Sequence, residues 1–268
     1  MSNRKRSLDR EWDAAAYHRI SGPQVSWGAK VVSRLDLAGN ETVLDAGCGT
    51  GRLTATLLDA LPTGRVIAVD LSENMLREAR GYLAPRPKAA LYFVAADLAN
   101  LPLQYCLDGI FSTASFHWIR DHARLFRSLF TALRRDGWLV AQCGGGPNLA
   151  RFRKKLHSLC QQAPYSSYLA TFEEPWFFSD AETAARNLRD TGFIEIETSV
   201  EPAPTAFADA EHFIEFVRTA VVHRHLSLIP DPVHKRSFLD VLARQAENES
   251  PPFELDYWRL NLRARKPA

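Results

Sequence analysis

Apolar and polar residues alternate along the chain with two different periods, and their order predicts an α/β fold. Through about residue 165, short apolar runs typical of buried strands alternate with longer runs of helical period. Such alternation indicates a parallel, doubly wound sheet. The predicted strands are 42–46, 65–69, 91–95, 108–113 and 137–143, and the predicted helices are 51–61, 72–83, 121–134 and 147–163.

Residues at the ends of several elements suit those positions. Ser72 is a good N-cap for the second helix, since its hydroxyl can accept a hydrogen bond from a free backbone N–H. Gly137 is expected to close a turn after Arg134–Asp136, because glycine favours the left-handed conformation that ends a helix. Ser179 and Gly192 are the expected cap and stop of a later helix.

The pattern changes after the first 165 residues. The predicted late elements are a helix over 179–191, a strand over 193–200, a mostly helical stretch over 207–247 and a last strand over 253–262. Two late strands so far apart predict a hairpin that carries a large helical insertion. The predicted segments are a helical leader (1–38), an α/β core (39–204), a helical insertion (205–250) and the final strand of the core (251–268).

Composition narrows the class of protein. Among 268 residues, 46% are apolar, which is ample for a sizeable core. The net charge of +2 is too near neutral to argue for nucleic acid or an anionic membrane surface. We find no apolar run long enough to span a membrane and no secretory signal. The four cysteines form no C-x-x-C pair or zinc spacing, so we expect a cytoplasmic protein without a metal site.

The richest chemistry lies in Asp45–Gly51, between the first strand and the first helix of the core. Three glycines in a sharp turn let a ligand approach bare backbone. The turn also directs the free N–H groups of the following helix toward that ligand. Nineteen residues after Gly51 the second strand ends in Asp70, which is placed to hold the two hydroxyls of a ribose. We therefore predict a nucleoside-cofactor site.

Glycine spacing bears on which cofactor binds. Gly47, Gly49 and Gly51 give G-x-G-x-G, with Arg52 where the dinucleotide fingerprint has its third glycine. The Asp45 carboxylate would repel a pyrophosphate but suits an ammonium and a sulfonium. The string resembles motif I of class I methyltransferases, which implies S-adenosylmethionine as cofactor and a Rossmann-like, seven-stranded sheet whose last strand is antiparallel. The alternative is a chance glycine-rich turn in an NAD enzyme or a nucleotide-free domain.

The resemblance and the positions of nearby residues imply further cofactor contacts. Asp45 would accept from the cofactor's ammonium, and Asp97 from the adenine amine unless it caps a turn. Leu71 and Met75 would flank the adenine or belong to the core. Cys48 is expected to pack behind the loop and not to act as a nucleophile. The remaining expected cofactor contacts are Tyr17, Ala96, Leu98, Ser112 and Thr113.

Residues 112–122 narrow the resemblance. With His117-Trp118-Ile119 and Asp121-His122, this string looks like the trans-aconitate and juvenile hormone acid methyltransferases, which methylate carboxylates of small molecules. In the juvenile hormone acid branch, residues matching Gln24 and Trp118 hold the substrate carboxylate. The arginine that the aconitate branch tends to have near Gln24 is absent, although Arg19 is close. Trp27 and other aromatic residues favour a more apolar acid.

We therefore expect a small-molecule O-methyltransferase, with Gln24, His117 and Trp118 meeting at the transferred methyl. A carboxylate acceptor is already ionised near neutral pH, whereas a phenol would need a base, for which His117 is the candidate unless its role is structural. Arg19 and Arg218 are reserve anchors. The leader and the insertion are expected to close over the cleft. We expect a monomer or homodimer.

Two other functions remain open from the residues. The first is methylation of a nitrogen or carbon acceptor, or of an acyl group on a carrier protein. A carrier would need a basic docking patch, for which the candidates are Arg151, Arg153, Lys154 and Lys155. The second is a non-catalytic regulator that binds S-adenosylmethionine.

Overall fold

A seven-stranded mixed sheet forms the centre of the computed structural model, which describes residues 11–85 and 90–268. The first five strands are β1 (Thr42–Ala46), β2 (Arg65–Asp70), β3 (Ala90–Ala95), β4 (Leu107–Thr113) and β5 (Leu133–Gly144). The later strands are β6 (Ile194–Pro202), the short β7 (Thr205–Ala206) and β8 (Glu254–Leu255), and β9 (Trp258–Arg265). The sheet order is β3-β2-β1-β4-β5-β9-β6, and β9 runs antiparallel to β5. The predicted α/β class and the antiparallel last strand are confirmed.

Helices connect these strands. The helices before β5 are α1 (Ala14–Ile20), α2 (Gly22–Val32), α3 (Arg52–Ala60), α4 (Glu73–Leu83) and α5 (His122–Ala132). The later ones are α6 (Ala150–Cys160), α7 (Ser166–Leu169), α8 (Ala181–Thr191), α9 (Ala210–Phe216), α10 (His223–Leu228) and α11 (Pro232–Glu247). Short 3₁₀ turns span Leu98–Asn100 and Phe116–Trp118, and a π-helical turn spans Val217–Val221. No helix in these described ranges is long and apolar enough to cross a membrane.

Both faces of the central sheet are covered, which explains its continuous apolar strands. Successive residues of β1 and β4 point to opposite faces, as the two-residue period of a strand requires. Val43 and Phe111 pack with α2 and α3 on one face. Leu44 and Ile110 pack with α5 and α8 on the other. Because β1, β2 and β4 are parallel, their carboxyl ends meet at one edge of the sheet.

The chain clusters into two compact units whose composition differs from the predicted segments. The first unit holds residues up to 146, 176–201 and 259–268; the second holds 147–175 and 202–258. The stretch 147–175, which the sequence assigns to the core, therefore groups with the predicted insertion. Backbone bonding explains the grouping, since Leu149 donates to the carbonyl of Asp256 at 2.9 Å.

Some predicted ends are confirmed and others are wrong. Ser72 caps α4 by accepting from the N–H of Met75, and Gly192 ends α8 in the left-handed conformation. The cap of α8 is Asp180 and not Ser179, because the Asp180 carboxylate accepts from the N–H of Thr183 at 2.7 Å. A carboxylate also complements the positive end of the helix dipole. Residues 1–10 of the predicted leader lie outside the described residues.

Candidate active site

The loop between β1 and α3 presents bare backbone at the carboxyl edge of the sheet. Gly47, Gly49 and Gly51 all adopt positive φ, at 81°, 53° and 81°. A Cβ on Gly47 would collide with the side chain of Ser115, whereas a Cβ on Gly49 would project into open space. Gly47 and Cys48 donate to the carbonyl of Val69, at 2.8 and 2.9 Å, which fixes the loop beside β2. The backbone at Gly49 therefore faces a space that a ligand can fill.

Asp45 ends β1 as a buried carboxyl group, only 2% exposed. The hydroxyl of Thr54 donates to its Oδ2 at 2.6 Å. The pKa of Asp45 is raised to about 7, mainly by burial; the Thr54 hydrogen bond opposes this rise, and the nearby Asp70 carboxylate adds to it. A buried carboxyl group in this state favours a cationic partner, because a positive charge offsets the loss of hydration.

Asp70 ends β2 with both carboxylate oxygens oriented by backbone. It accepts from the N–H of Gly49 and from the N–H of Ser72, at 2.9 Å each. Burial raises the pKa of Asp70, and these backbone hydrogen bonds oppose that shift. Each oxygen retains a further lone pair, so the oriented carboxylate can still accept from the two hydroxyls of a ribose.

The leader packs on this loop through polar contacts that the sequence did not reveal. Arg52 donates to the carbonyl of His18 at 3.3 Å and to the hydroxyl of Ser21 at 3.4 Å. The His18 ring is 2.9 Å from the hydroxyl of Thr50. Glu11 accepts from the Ser72 hydroxyl at 2.8 Å and from two backbone N–H groups at the start of α4. The sequence feature that could have indicated this packing is Arg52, which stands where the dinucleotide fingerprint has its third glycine.

A cleft forms where the leader, the glycine loop and the end of β4 meet. It is lined by Tyr17, Ser21, Gln24, Val25, Asp45, Gly47, Cys48, Gly49, Thr50, Arg52, Leu53, Thr113 and Ala114. Seven residues that the sequence assigned to the site are among them. Burial raises the pKa of the Cys48 thiol well above its usual range, which fits a packed and unreactive side chain.

Other expected cofactor residues have different surroundings. The hydroxyl of Ser112 donates to the carbonyl of Ala46 at 2.7 Å, and the residue is 1% exposed. Ser112 thus joins the ends of β1 and β4 through its hydroxyl. Met75 and Leu98 are buried in the core. Leu71 is 43% exposed beside Asp70.

Asp97 and Ala96 follow β3 at the same edge. The carboxylate of Asp97 is exposed and accepts from the N–H of Ala99 at 2.9 Å, so it caps the short turn Leu98–Asn100. This is the turn cap that the sequence left as the alternative to an adenine contact. Ala96 donates to the carbonyl of Asp70 at 3.2 Å, which ties the two strand ends together.

Aromatic rings adjoin the cleft at Tyr17. The ring of Tyr17 meets Trp12 edge-on at 5.5 Å, and Trp12 meets Trp118 in the same way at 5.2 Å. Trp118 lies 6.2 Å from Trp176, which stacks on Phe178 at 6.0 Å. We call Trp12, Tyr17, Trp118, Trp176 and Phe178 the aromatic wall. Its rings offer apolar and π surface to a bound molecule, and the sequence analysis had assigned only Tyr17 and Trp118 to the site.

His117 lies next to the aromatic wall, 5.3 Å from the ring of Trp118. Its Nδ1 accepts from the N–H of Gly144 at 3.3 Å. Burial, followed by the positive charge of Arg259, holds the pKa of His117 well below its usual range. The ring is therefore neutral and carries its proton on Nε2.

The remaining expected acceptor residues are dispersed. The amide oxygen of Gln24 is buried and has no hydrogen-bond partner among the described residues. Trp27 packs under the guanidinium of Arg259, 4.2 Å from its carbon to the ring centre. Arg19 is exposed on α1, and Arg218 is exposed in the second unit.

These features fit S-adenosylmethionine. Asp45 is a buried carboxyl group that suits an ammonium, and Asp70 is an oriented carboxylate that suits the hydroxyls of a ribose. Gly49 opens the backbone toward the ligand. No cluster of side chains within the described residues is suited to hold a metal ion.

Comparisons with known proteins agree with this geometry. A family described as a methyltransferase domain matches residues 43–137. A trans-aconitate 2-methyltransferase of Methylobacterium radiotolerans is 29% identical over 251 residues, covering 90% of this chain and 91% of its own. The enzyme of the same name from Acidovorax ebreus is 34% identical over 132 residues. That match covers 49% of this chain and 49% of the other.

Solved structures with the same fold include different chemistries. A phosphoethanolamine N-methyltransferase 2 of Haemonchus contortus with bound S-adenosylmethionine superposes with a TM-score of 0.62 at 19% identity, covering 95% of this chain and 57% of its own. The [4+2]-cyclase SpnF has a TM-score of 0.60 at 18% identity, covering 91% and 81%. Because a cyclase shares the fold, the fold alone does not name the reaction. The matched domain and the relatives do: the chain is an S-adenosylmethionine-dependent methyltransferase that is similar to trans-aconitate 2-methyltransferases.

Proposed function

We propose that the enzyme transfers the methyl group to a carboxylate oxygen of a small organic acid. The cofactor, when bound, supplies an electrophilic methyl group on a sulfonium sulfur. The aromatic wall packs against the body of the acceptor and excludes water from the reacting atoms. Gln24 and the indole N–H of Trp118 hold the acceptor oxygens, with the amide of Gln24 turned so that its nitrogen donates.

The hydrogen bond that His117 Nδ1 accepts from the N–H of Gly144 is the observation that carries this proposal. The pKa of His117 also lies well below the usual range. A ring in that state is a hydrogen-bond donor through Nε2 and a poor general base near neutral pH. An acceptor that is ionised before it binds needs no base, and carboxylic acids are ionised at neutral pH. We therefore favour a carboxylate over a phenol and assign His117 an orienting role.

The pairing of the basic residues on α6 argues against an acyl carrier as acceptor. Arg151 forms ion pairs with Glu249, Glu254 and Asp256, at 3.7, 3.1 and 3.9 Å. Arg153 pairs with Glu174 at 2.6 Å, and Lys155 pairs with Glu249. Three of the four proposed docking cations are thus engaged by carboxylates within the same unit. This leaves little free positive charge to attract an acidic carrier.

Methyl transfer from radiolabelled S-adenosylmethionine tests the proposal. The acceptor panel contains small carboxylic acids, including trans-aconitate and 3-phenylpropionate, together with phenols and primary amines. We expect label to enter acids and to be released as volatile methanol by mild alkali, because methyl esters hydrolyse under these conditions. Methyl ethers and methylamines retain their label.

Variants separate the acceptor site from the cofactor site. Trp118→Phe keeps an aromatic ring but lacks the N–H donor, so we expect lower turnover with unchanged binding of S-adenosylhomocysteine. Tyr92→Phe, on the exposed part of β3, is the matched control and should behave as wild type. Alkali-stable label in phenols or amines alone would refute carboxylate methylation while leaving the cofactor site intact.

A further inference from the structure

A second cavity, of about 280 Å³, lies on the face of the sheet that α2 covers. Val31 and Val140 form part of its apolar lining, and strands β6 and β9 supply most of its polar lining. All of its lining residues belong to the first unit, and none of them lines the cofactor cleft. Its volume is slightly below the range of about 300–1,000 Å³ that is typical of sites for drug-sized ligands. The cavity is therefore a separate candidate site for a small molecule.

The polar lining comes from one face of two neighbouring strands. On β9, Leu262 packs into the core with α5 and α8. Because side chains alternate along a strand, those of Asn261 and Arg263 point to the opposite face. On β6, Glu197 and Ser199 line the same cavity and are exposed. Charged and amide groups of both strands thus face a side of the sheet that is open to solvent.

Asn261 links the elements around the cavity. Its amide oxygen accepts from the side-chain amide of Gln142 on β5 at 2.8 Å. The same oxygen accepts a longer bond, of 3.5 Å, from the guanidinium of Arg34, which follows α2. Its amide nitrogen donates to the hydroxyl of Ser199 at 3.4 Å. Arg34 is therefore held at the cavity, and four of its five N–H donors have no bond to Asn261.

Arg263 and Glu197 are opposite charges that line one cavity without pairing. The positions on either side of them along β9 and β6 are in contact: Asn261 with Ser199 at 3.4 Å, and Arg265 with Glu195 at 3.3 Å. Within residues 11–85 and 90–268, neither Arg263 nor Glu197 forms an ion pair or a side-chain hydrogen bond. The cavity thus presents an unpaired cation and an unpaired anion beside an apolar surface.

We propose that this cavity binds a small apolar α-amino acid. The carboxylate of the ligand pairs with Arg263, with Arg34 beside it, and the ammonium pairs with Glu197. The apolar side chain rests on Val31 and Val140. An α-amino acid carries both charges on groups bonded to one carbon, so a single ligand can satisfy both strands. A simple anion would leave Glu197 unpaired, and a simple cation would leave the guanidinium groups unpaired.

L-Leucine and two analogues test the proposal. The cofactor also ends in an α-amino acid group, so leucine is titrated calorimetrically into protein saturated with S-adenosylhomocysteine. 4-Methylpentanoate lacks only the ammonium of leucine, and 3-methylbutylamine lacks only the carboxylate. Each analogue is tested as a competitor of leucine, so that binding elsewhere does not count. We expect both to compete about tenfold or more weakly than leucine binds, the scale of one charge-assisted hydrogen bond.

Two variants test the two charges separately. In Glu197→Gln, leucine should bind about tenfold more weakly, and 4-methylpentanoate should compete as well as leucine binds. In Arg263→Gln, leucine should weaken similarly, and 3-methylbutylamine should become the equal competitor. Both residues are exposed, so either change should alter stability little. S-Adenosylhomocysteine binding checks the folding of each variant.

Matched controls change exposed charges outside the cavity. Glu201→Gln lies on the same strand as Glu197, and Arg127→Gln lies on α5. Both should bind leucine as wild type does.

Three results would overturn the inference. Leucine binding that is unchanged in both cavity variants would locate the ligand elsewhere. No leucine binding by wild type at millimolar concentrations would mean that Arg263 and Glu197 are only solvated surface charges. An analogue that competes in wild type as well as leucine binds would show that one of the two charges is not recognised. The proposed methyl transfer is independent of these results, because it fails only if no acid of the panel acquires alkali-labile label.

Discussion

Two carboxyl groups of the cofactor site have different surroundings, and the difference has chemical consequences. Asp70 is oriented by two backbone N–H groups, whereas Asp45 has one hydroxyl donor and is almost entirely buried. Burial raises the pKa of Asp45 to about 7. Around neutral pH the free protein is thus divided between a protonated and an ionised Asp45. The ammonium of a bound cofactor favours the ionised form.

This titration predicts a pH-dependent affinity for S-adenosylhomocysteine. Below pH 7 the ligand must displace a proton from Asp45, so affinity should fall by about tenfold per pH unit. Above pH 7 it should level off, until the ligand's own amino group loses its proton. Calorimetry in two buffers with different ionisation enthalpies should detect the released proton. Asp45→Asn should weaken binding and flatten the profile, while Asp59→Asn, on the exposed side of α3, should leave both unchanged.

Asp70 and Asp97 should respond differently to truncation. Asp70→Ala removes an oriented carboxylate, and we expect weaker binding of S-adenosylhomocysteine by about 1–3 kcal/mol. Asp97 is exposed and caps a short turn, so Asp97→Ala should cost much less binding. Equal losses in calorimetry would show that Asp97 contacts the adenine as the sequence suggested.

Residues close together in sequence were the predictable part of the site. Asp45, the glycines and Asp70 follow two consecutive strands, so spacing alone locates them. The contact of Arg259 with Trp27 was missed because the place of Arg259 depends on the direction of β9 and its register with β5. Trp176 was missed for a similar reason, since only tertiary packing brings it to Trp118.

At the scale of the element, the glycine loop combines two separate constraints. Gly47 has no room for a side chain because Ser115 occupies that space. Gly49 has room, but only in the space proposed for the ligand. Both have positive φ, which strains any other residue.

Three alanine substitutions separate these constraints. Gly47→Ala should destabilise the protein through the clash with Ser115, in addition to about 1–2 kcal/mol of backbone strain. Gly49→Ala should lower the free energy of unfolding by the backbone strain alone, and it should weaken S-adenosylhomocysteine binding. Gly81→Ala, in α4 with open space around it, should stabilise by about 0.5–1 kcal/mol. Denaturant unfolding and calorimetry distinguish the three, and intact ligand binding by Gly49→Ala would contradict the assignment.

The turn predicted at 134–137 lies inside β5, at a break in the pairing of that strand with β4. Residues 134–137 read as a turn, yet β5 already begins at Leu133, which pairs with Leu107. Asp136 alone takes a positive φ, at 58°, and the carbonyl of Gly137 accepts from the N–H of Lys266. The register with β4 jumps from Leu133 to Trp138, so residues 134–137 form an irregular stretch between two paired parts of β5.

At the scale of the whole molecule, the second unit is built from two separate stretches. Its core contains Phe213, which is 1% exposed. The ring centre of Phe213 lies 5.9 Å from that of Phe207 and 6.0 Å from that of Phe253. The stretch 147–175 contributes α6 to the same unit. The sequence pattern missed this grouping because α6 follows β5 as any crossover helix of the core would.

Removing the Phe213 side chain tests this grouping. Phe213→Ala leaves a cavity and should lower the free energy of unfolding of the second unit by about 3–5 kcal/mol. If α6 belongs to the unit, amide exchange should accelerate in α6 together with α9 and α11, with β1 and β4 unaffected. Val233→Ala, at a site that is 70% exposed, is the control and should change exchange little. Acceleration confined to 202–258 would contradict the two-stretch unit.

The position of β9, the last strand of the chain, beside β5 also bears on how such an enzyme can diverge. The groups assigned to the cofactor lie mainly between β1 and the end of β4, whereas Trp27 and Arg259 come from opposite ends of the chain. Substitutions at these two positions therefore leave the nucleoside-binding segment unchanged in sequence. A library confined to Trp27 and Arg259 would vary this cation–aromatic contact alone, so any change in acceptor range or cofactor affinity would be traced to it.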